Sequence, residues 1–367
     1  MNSNTLSGVQ LQDKIAEQLT NTSFAGTASI QDVSQETRIG DKQADITATI
    51  TTVSGVQMPL VIVVKNTQRL SNVREMIRQI KQLAQPAQAE PMIAGVFWGE
   101  RARKLAKEER VGLVDLAGNF LIQKDPVFIE KVVNKNPFSK TSPLKSLFSP
   151  VSTRIIRAVL IEPKQAWDLQ ELSKKTSVSI GQTYKVVYRL EAEEFGKRNE
   201  AKQFVLTSPS ELLDEWKNNY SIKQNKKYSF YSFERDYANR LRKIAGQGSE
   251  QNLQYAISFF TGTDLIAPFI RGIVKTQFYI ANEGDLKAWQ QTLELKPVEL
   301  GANVEMYIPY DEGVFYKPQE IGIGGEVPLL KVVNNIQLYL DVVNSPARGA
   351  EQAQYLLENK LLPEFKI

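Results

Sequence analysis

The chain has 367 residues, 42% of them hydrophobic and 23% charged, with no histidine and no cysteine. That composition excludes wholesale disorder, disulfides, thiolate metal sites, cysteine nucleophiles and Ser-His-Asp triads. An enzyme on this chain must work with carboxylates, Lys, Ser, Thr or Tyr, with Mg²⁺ as the metal those residues suit. The net charge of +4 is distributed unevenly. Residues 1–130 are balanced, residues 131–246 hold 22 basic against 12 acidic side chains, and residues 247–367 are acidic. A basic middle suggests a module that meets a polyanion. No apolar run is long enough to span a membrane and the first residues do not read as a secretory signal, so the expected location is the cytoplasm with no membrane partner.

The pattern predicts a helix over Leu6–Leu19, a half-exposed strand over Ala44–Val53, and a central strand at Leu60–Val64. A helix follows over Asn72–Leu83, then a buried strand at Met92–Trp98, a basic helix at Arg101–Glu109 and a hairpin over Gly112–Ile122. Within that hairpin, Asp115 and Asn119 read either as sheet-edge groups of a site or as turn chemistry around Gly118; the turn is the simpler reading.

This order, with Asp45 opening one strand and Lys65 closing the next, resembles the PD-(D/E)xK restriction-endonuclease fold. The resemblance implies a metal-binding acid at Asp45 and a water-orienting Lys65, with Mg²⁺ the cofactor only if the domain is a nuclease. The acid expected two residues before that lysine is Val63. Gln79 or Glu17 would have to supply the missing ligand, and a hard divalent ion needs oxygen donors beside the scissile phosphate. The expectation is therefore no catalytic residue, no metal and no cofactor, with the fold used for packing or partner contact.

Asn134–Pro150 carries three prolines and reads as a linker, and Gly246–Ser249 (GQGS) reads as a second break. Between them the spacing predicts helices at Ser152–Ile161, from Asp168, and at Ile180–Glu194 capped by Ser179. A polar hairpin tip at Lys197–Ala201 and a strand at Gln203–Leu206 follow. This cadence looks like a winged helix-turn-helix. In such a module Ser179, Gln182, Thr183 and Lys185 would face base edges of double-stranded DNA, while Arg189, Lys197, Arg198 and Lys202 would meet phosphate.

Ser208-Pro209-Ser210-Glu211 predicts a helix start with Ser208 as its cap, and Ile222–Tyr231 and Phe233–Ala245 extend a basic connector. The acidic remainder mixes strands (Phe278–Ala281, Val304–Ile308) with helices (Asp285–Thr292, Asn335–Val343, Ala350–Glu358). Gly322–Gly325 lacks the Lys-Ser/Thr of a phosphate loop, and Thr261–Asp264 (TGTD) reads as a helix-capping turn. The elements SPSELLDEWKNNY, SFFTGTDLIAP and QLYLDVVNSPARGAEQAQYL resemble the AbiEi-like antitoxins and transcriptional regulators of type IV toxin–antitoxin systems. The resemblance implies a DNA-binding repressor of its own operon, paired with a nucleotidyltransferase-like toxin.

The expected architecture is α+β and multidomain. It has an endonuclease-like mixed sheet at 1–133, a linker at 134–150, a winged helix-turn-helix at 151–207, a basic helical connector at 208–248 and an α+β domain at 249–367. The function expected is a sequence-specific DNA-binding regulator of antitoxin type. The alternatives are a Mg²⁺-dependent nuclease targeted by the winged helix and a protein-interaction scaffold.

Overall fold

The computed structural model describes residues 6–366 apart from 25–26, 68, 126, 134–136, 139–146, 324–325 and 347, with the backbone alone at 323, 326 and 327. The chain divides into two compact units, residues 1–142 and 143–367. Most of the expected linker and the end of the Gly322–Gly325 run lie outside the described residues.

In the first unit, α1 (Gly8–Thr20) opens on a capping box in which Ser7 and Gln10 each accept from the other's backbone N–H. Its stripe of Leu11, Ile15 and Leu19 is fully buried, at roughly 1.5–3 kcal/mol for each side chain. A short β1 (Ser23–Phe24) leads into β2 (Ala28–Ile39), β3 (Lys42–Thr52) and β4 (Gln57–Val64), an antiparallel meander. Helix α2 (Leu70–Ala84) then crosses to β5 (Glu90–Gly95), and α3 (Glu100–Glu108) to β6 (Gly112–Asp115). Strands β4, β5 and β6 run parallel, which requires such helical crossovers. Strands β7 (Phe120–Lys124) and β8 (Val127–Lys131) complete one eight-stranded sheet in chain order. Its two faces bury separate cores, one under α1 and the other under α2 and α3. The helices and strands read from the sequence of this unit are present in the expected order, with two further strands, β1 and β2, after α1. The twelve-residue β2 was not expected, because ASIQDVSQETRI has too few apolar positions to signal a strand.

The second unit begins with α4 (Pro150–Ile161), α5 (Leu169–Thr176) and α6 (Ile180–Ala192), followed by the hairpin β9 (Gly196–Arg198) and β10 (Phe204–Leu206). Trp167, between α4 and α5, exchanges two 2.8 Å backbone hydrogen bonds with Phe204, adding a third edge to the hairpin. This is the element order of a winged helix-turn-helix. Gly196 lies against the Phe204 ring where a Cβ would overlap it, so the wing starts where the chain has no side chain.

The rest of the unit is a seven-stranded sheet flanked by helices. In sheet order its strands are β14 (Leu295–Pro297), β11 (Lys226–Ser232), β15 (Val304–Ile308), β13 (Thr276–Ile280), β12 (Tyr255–Ile257), β17 (Glu326–Val332) and β16 (Gln319–Ile323). The flanking helices are α7 (Pro209–Asn219), α8 (Tyr237–Glu250), α9 (Phe259–Ile266), α10 (Leu286–Thr292), α11 (Asn335–Val343), α12 (Gly349–Leu356) and α13 (Leu362–Phe365). One hydrophobic core runs from Ile155 and Leu190 of the winged segment through Trp216 to Tyr279 and Leu338 of the sheet and its helices.

Four local expectations need correction. The stretch at 208–248 is not a helical connector, since Lys226–Ser232 pairs with β14 and β15 inside the sheet. The break expected at Gly246–Ser249 lies within α8, where Gly248 lets the helix close onto the Tyr255 ring. Thr261–Asp264 lies inside α9 and does not cap it. Ser208 does not cap α7 through its side chain; its hydroxyl donates to the Glu194 carbonyl, and Pro209 begins the helix.

Candidate nucleic-acid interface

Ser179 caps α6 by accepting from the Gln182 backbone N–H at 3.4 Å. From that start the 3.6-residue period decides which side chains face the core. Thr183, Val186, Val187 and Leu190 are buried. Thr183 is fully enclosed and its hydroxyl donates to the Ser179 carbonyl at 3.0 Å, so it cannot reach a base edge. Gln182 is half-buried and its amide donates to Ser152 Oγ on α4 at 3.3 Å, so it too faces inward.

The exposed face of α6 carries Ile180, Tyr184, Lys185 and Tyr188. Tyr184 and Tyr188 are 53% and 44% exposed and stack on each other with ring centroids 6.2 Å apart. Two adjacent exposed tyrosines at i, i+4 are this helix's principal feature, and the expected base-reading set omitted both.

Of the phosphate candidates, Lys197 and Lys202 are exposed on the wing. Lys202 occupies a left-handed turn position (φ 61°). Arg198 is engaged within the wing: its Nε lies 3.1 Å from Glu191, and its Nη1 donates to the Lys202 carbonyl. Arg189 pairs with the buried Glu193 at 3.4 Å. The two arginines therefore brace the end of α6, and the two lysines and Lys185 remain directed at solvent.

The winged segment is anchored from below. Arg154 on α4 meets Asp311 at 2.7 Å and Glu312 at 2.8 Å, and Lys317 reaches Glu162. Arg157, one turn on, is buried with its guanidinium 5.0 Å from the Trp216 ring. Beneath it, Asp341 of α11 accepts from Tyr220 (2.6 Å), Tyr279 (2.9 Å), Gln337 (2.7 Å) and Ser258 (2.5 Å). Burial is the main influence on Asp341 and outweighs those bonds, raising its pKa to about 6.

In the first unit the endonuclease-type residues are occupied by one another or by backbone. Asp45 Oδ2 accepts from the Val64 N–H at 2.6 Å, and burial raises its pKa. Lys65 Nζ donates to Gln79 at 3.2 Å, and Gln79 donates in turn to Glu75. Val63 is half-buried and Glu17 is exposed on α1. Among the described residues no group of three or more carboxylates is placed to hold a metal ion. Asp115 is wholly buried and accepts from the backbone N–H groups of Trp98 (2.7 Å) and Asn119 (2.9 Å) and from the Asn119 amide (2.6 Å). Asn119 Oδ1 in turn accepts from the Val133 N–H at 2.6 Å. That is turn chemistry, with Gly118 at φ 97° completing the bend.

The second unit thus joins a segment with the element order of a winged helix-turn-helix to an α+β domain. Residues 205–362 match the family model described as transcriptional regulator, AbiEi antitoxin, type IV TA system. Over that stretch the chain is similar to the AbiEi antitoxin family, in agreement with the sequence resemblance. The match begins in β10, so α4, α5 and α6 precede it. No curated protein matches the chain. Among solved structures, a repair endonuclease from Pyrococcus abyssi is similar at 17% identity and a TM-score of 0.22, over 30% of this chain. The chain spans 47% of that endonuclease's length, and at such a score the likeness carries no argument. Among the described residues no helix is long and apolar enough to cross a membrane.

Proposed function

We propose that the protein is a DNA-binding transcriptional regulator of antitoxin type that represses its own operon, beside a gene for a cognate toxin of nucleotidyltransferase type. The observation that carries this reading is the exposed α6 face. Tyr184, Lys185 and Tyr188 stand clear of the core at the helix that a winged helix-turn-helix lays in the major groove. Lys197 and Lys202 flank it on the wing, placed for phosphate. Ser179 stays in the contact set at the helix start, whereas Gln182, Thr183, Arg189 and Arg198 hold the module's shape.

Anisotropy titrations of the protein's own promoter duplex against random duplex, over a salt series, test this. Lys197→Ala and Lys202→Ala are each expected to lower the log–log salt slope by about 1 without changing sequence preference. Tyr184→Ala and Lys185→Ala are expected to reduce the preference itself, by roughly 1–3 kcal/mol per lost base contact. Equal affinity for promoter and random DNA, unchanged by all four substitutions, would end the regulator reading. The exposed Ile180–Tyr184–Tyr188 surface would then belong to a protein partner, as in the scaffold alternative.

The first unit is proposed to act without cleaving DNA and without a metal cofactor. With Val63 in the acid position and Lys65 held by Gln79, supercoiled plasmid should stay intact in Mg²⁺ or Mn²⁺. Nicking that vanishes in both Asp45→Ala and Lys65→Ala would establish the nuclease alternative instead.

A further inference from the structure

A cleft of about 750 Å³ opens beside β11, β13 and β15 in the seven-stranded sheet, at the end of α11. Its size is that of a site for a drug-sized molecule, and its surface is mostly apolar, with Phe260, Ile273, Val274 and Pro346 on its walls. At its floor Phe259 stacks on Tyr307, with ring centroids 4.3 Å apart. Phe259 holds a left-handed backbone conformation (φ 53°), an unfavourable one for an aromatic residue.

The polar groups converge on one point. Glu305 is almost fully buried and accepts four hydrogen bonds: Lys227 and Lys275 at 2.8 Å on Oε1, and Gln277 at 2.8 Å and Tyr307 at 2.9 Å on Oε2. Burial alone would push this carboxyl up, but the bonds from Lys227, Lys275 and Gln277 bring its pKa down to about 2. It is therefore ionised and saturated, with no capacity left to act as a base. Two ammonium groups share its single charge, each using one of three N–H donors on it, and both lysine side chains stay nearly half exposed. Lys223 on the rim adds a further positive charge. The cleft is thus net positive at its polar point.

We infer that this cleft is a binding site for a small organic anion, an apolar, preferably flat body carrying a carboxylate or phosphate that docks on Lys227 and Lys275. The aromatic floor and aliphatic walls take the body, and the lysine pair takes the charge. The buried carboxylate fixes both ammonium groups in advance, so little ordering is required when the anion arrives. This assignment stands independently of the DNA reading.

Calorimetric titration of the full chain with adenosine 5′-monophosphate, benzoate, inorganic phosphate and neutral adenosine tests it. Saturable binding of adenosine monophosphate, benzoate or both is expected, and which of them binds distinguishes a phosphate ester from a carboxylic acid. Lys275→Gln should weaken that binding about tenfold by removing one charge-assisted contact. Asn344→Trp, at an exposed position on the rim, should block it sterically while leaving the Glu305 cluster intact. Thermal midpoints of the unliganded variants show which of them are folded, and a folded variant decides the question if the other is not. The assignment is overturned if no organic anion binds. It is equally overturned if adenosine or inorganic phosphate binds as tightly as the organic anions, or if the folded variants bind like the parent.

Discussion

Replacing Asp341 by Ala is expected to destabilise the second unit by about 3–5 kcal/mol, the cost of leaving several buried donors without an acceptor at about 1–3 kcal/mol each. Tyr220, Tyr279, Gln337 and Ser258 all donate to this carboxylate, and each would be left in the core without its acceptor. The same group makes stability depend on pH. Its pKa is about 6 in the folded chain against 3.8 when unfolded, so between those values the folded state binds more protons. Its contribution to stability is then fully present below about pH 4 and is lost as pH rises through 6, by up to about 3 kcal/mol. Urea unfolding of the parent and of Asp341→Asn from pH 4 to 7 isolates the effect, since the Asn variant lacks the titration. A stability difference between the two that stays flat over that range would show the carboxyl to be ionised throughout.

Trp216→Ala is expected to cost about 3–5 kcal/mol, the usual range for emptying a buried aromatic site. Trp216 is fully buried, parallel to the Phe148 ring at 6.3 Å, with the Arg157 guanidinium over its face. Because the winged segment and the seven-stranded sheet share one core, the loss should appear in both at once. Hydrogen exchange reads this directly: amides of α6 and β13 should lose protection to the same degree. Loss confined to α4–α6, with β13 unaffected, would mean that the two parts unfold separately.

Much of this architecture is legible in the sequence, and the failures have identifiable causes. The α6 start was visible because Ser179 is a hydroxyl cap directly before an apolar 3.6-residue period. That period also sets Thr183 beside Val187 and Leu190, which is enough to place its hydroxyl in the core. Tyr184 and Tyr188, one turn apart on the opposite side, follow from the same count. Gln182 and Arg198 could not be judged locally, because their partners, Ser152 and Glu191, are fixed by the packing of other segments. The glycines at 246 and 248 resemble a linker in composition. Only the approach of Tyr255 to Gly248 reveals that the second of them sits in a tightly packed stretch of helix. The cleft around Glu305 gave no signal, since Lys227 lies on β11 and Lys275 just before β13, strands that are brought together only through β15.

The clasp of Arg154 on Asp311 and Glu312 bears on how the protein can be taken apart. An excised segment ending near residue 207 would carry Ile155, Ile156 and Val159, now fully buried, with much of their covering removed. It would also carry Arg157 without the tryptophan that shelters it. Such a piece presents a sticky underside, and its failure to bind DNA would report aggregation and not a lack of recognition. By the same logic, altering the exposed surface of α6 is best done by exchanging its solvent-facing side chains alone, leaving every residue that touches the layer below.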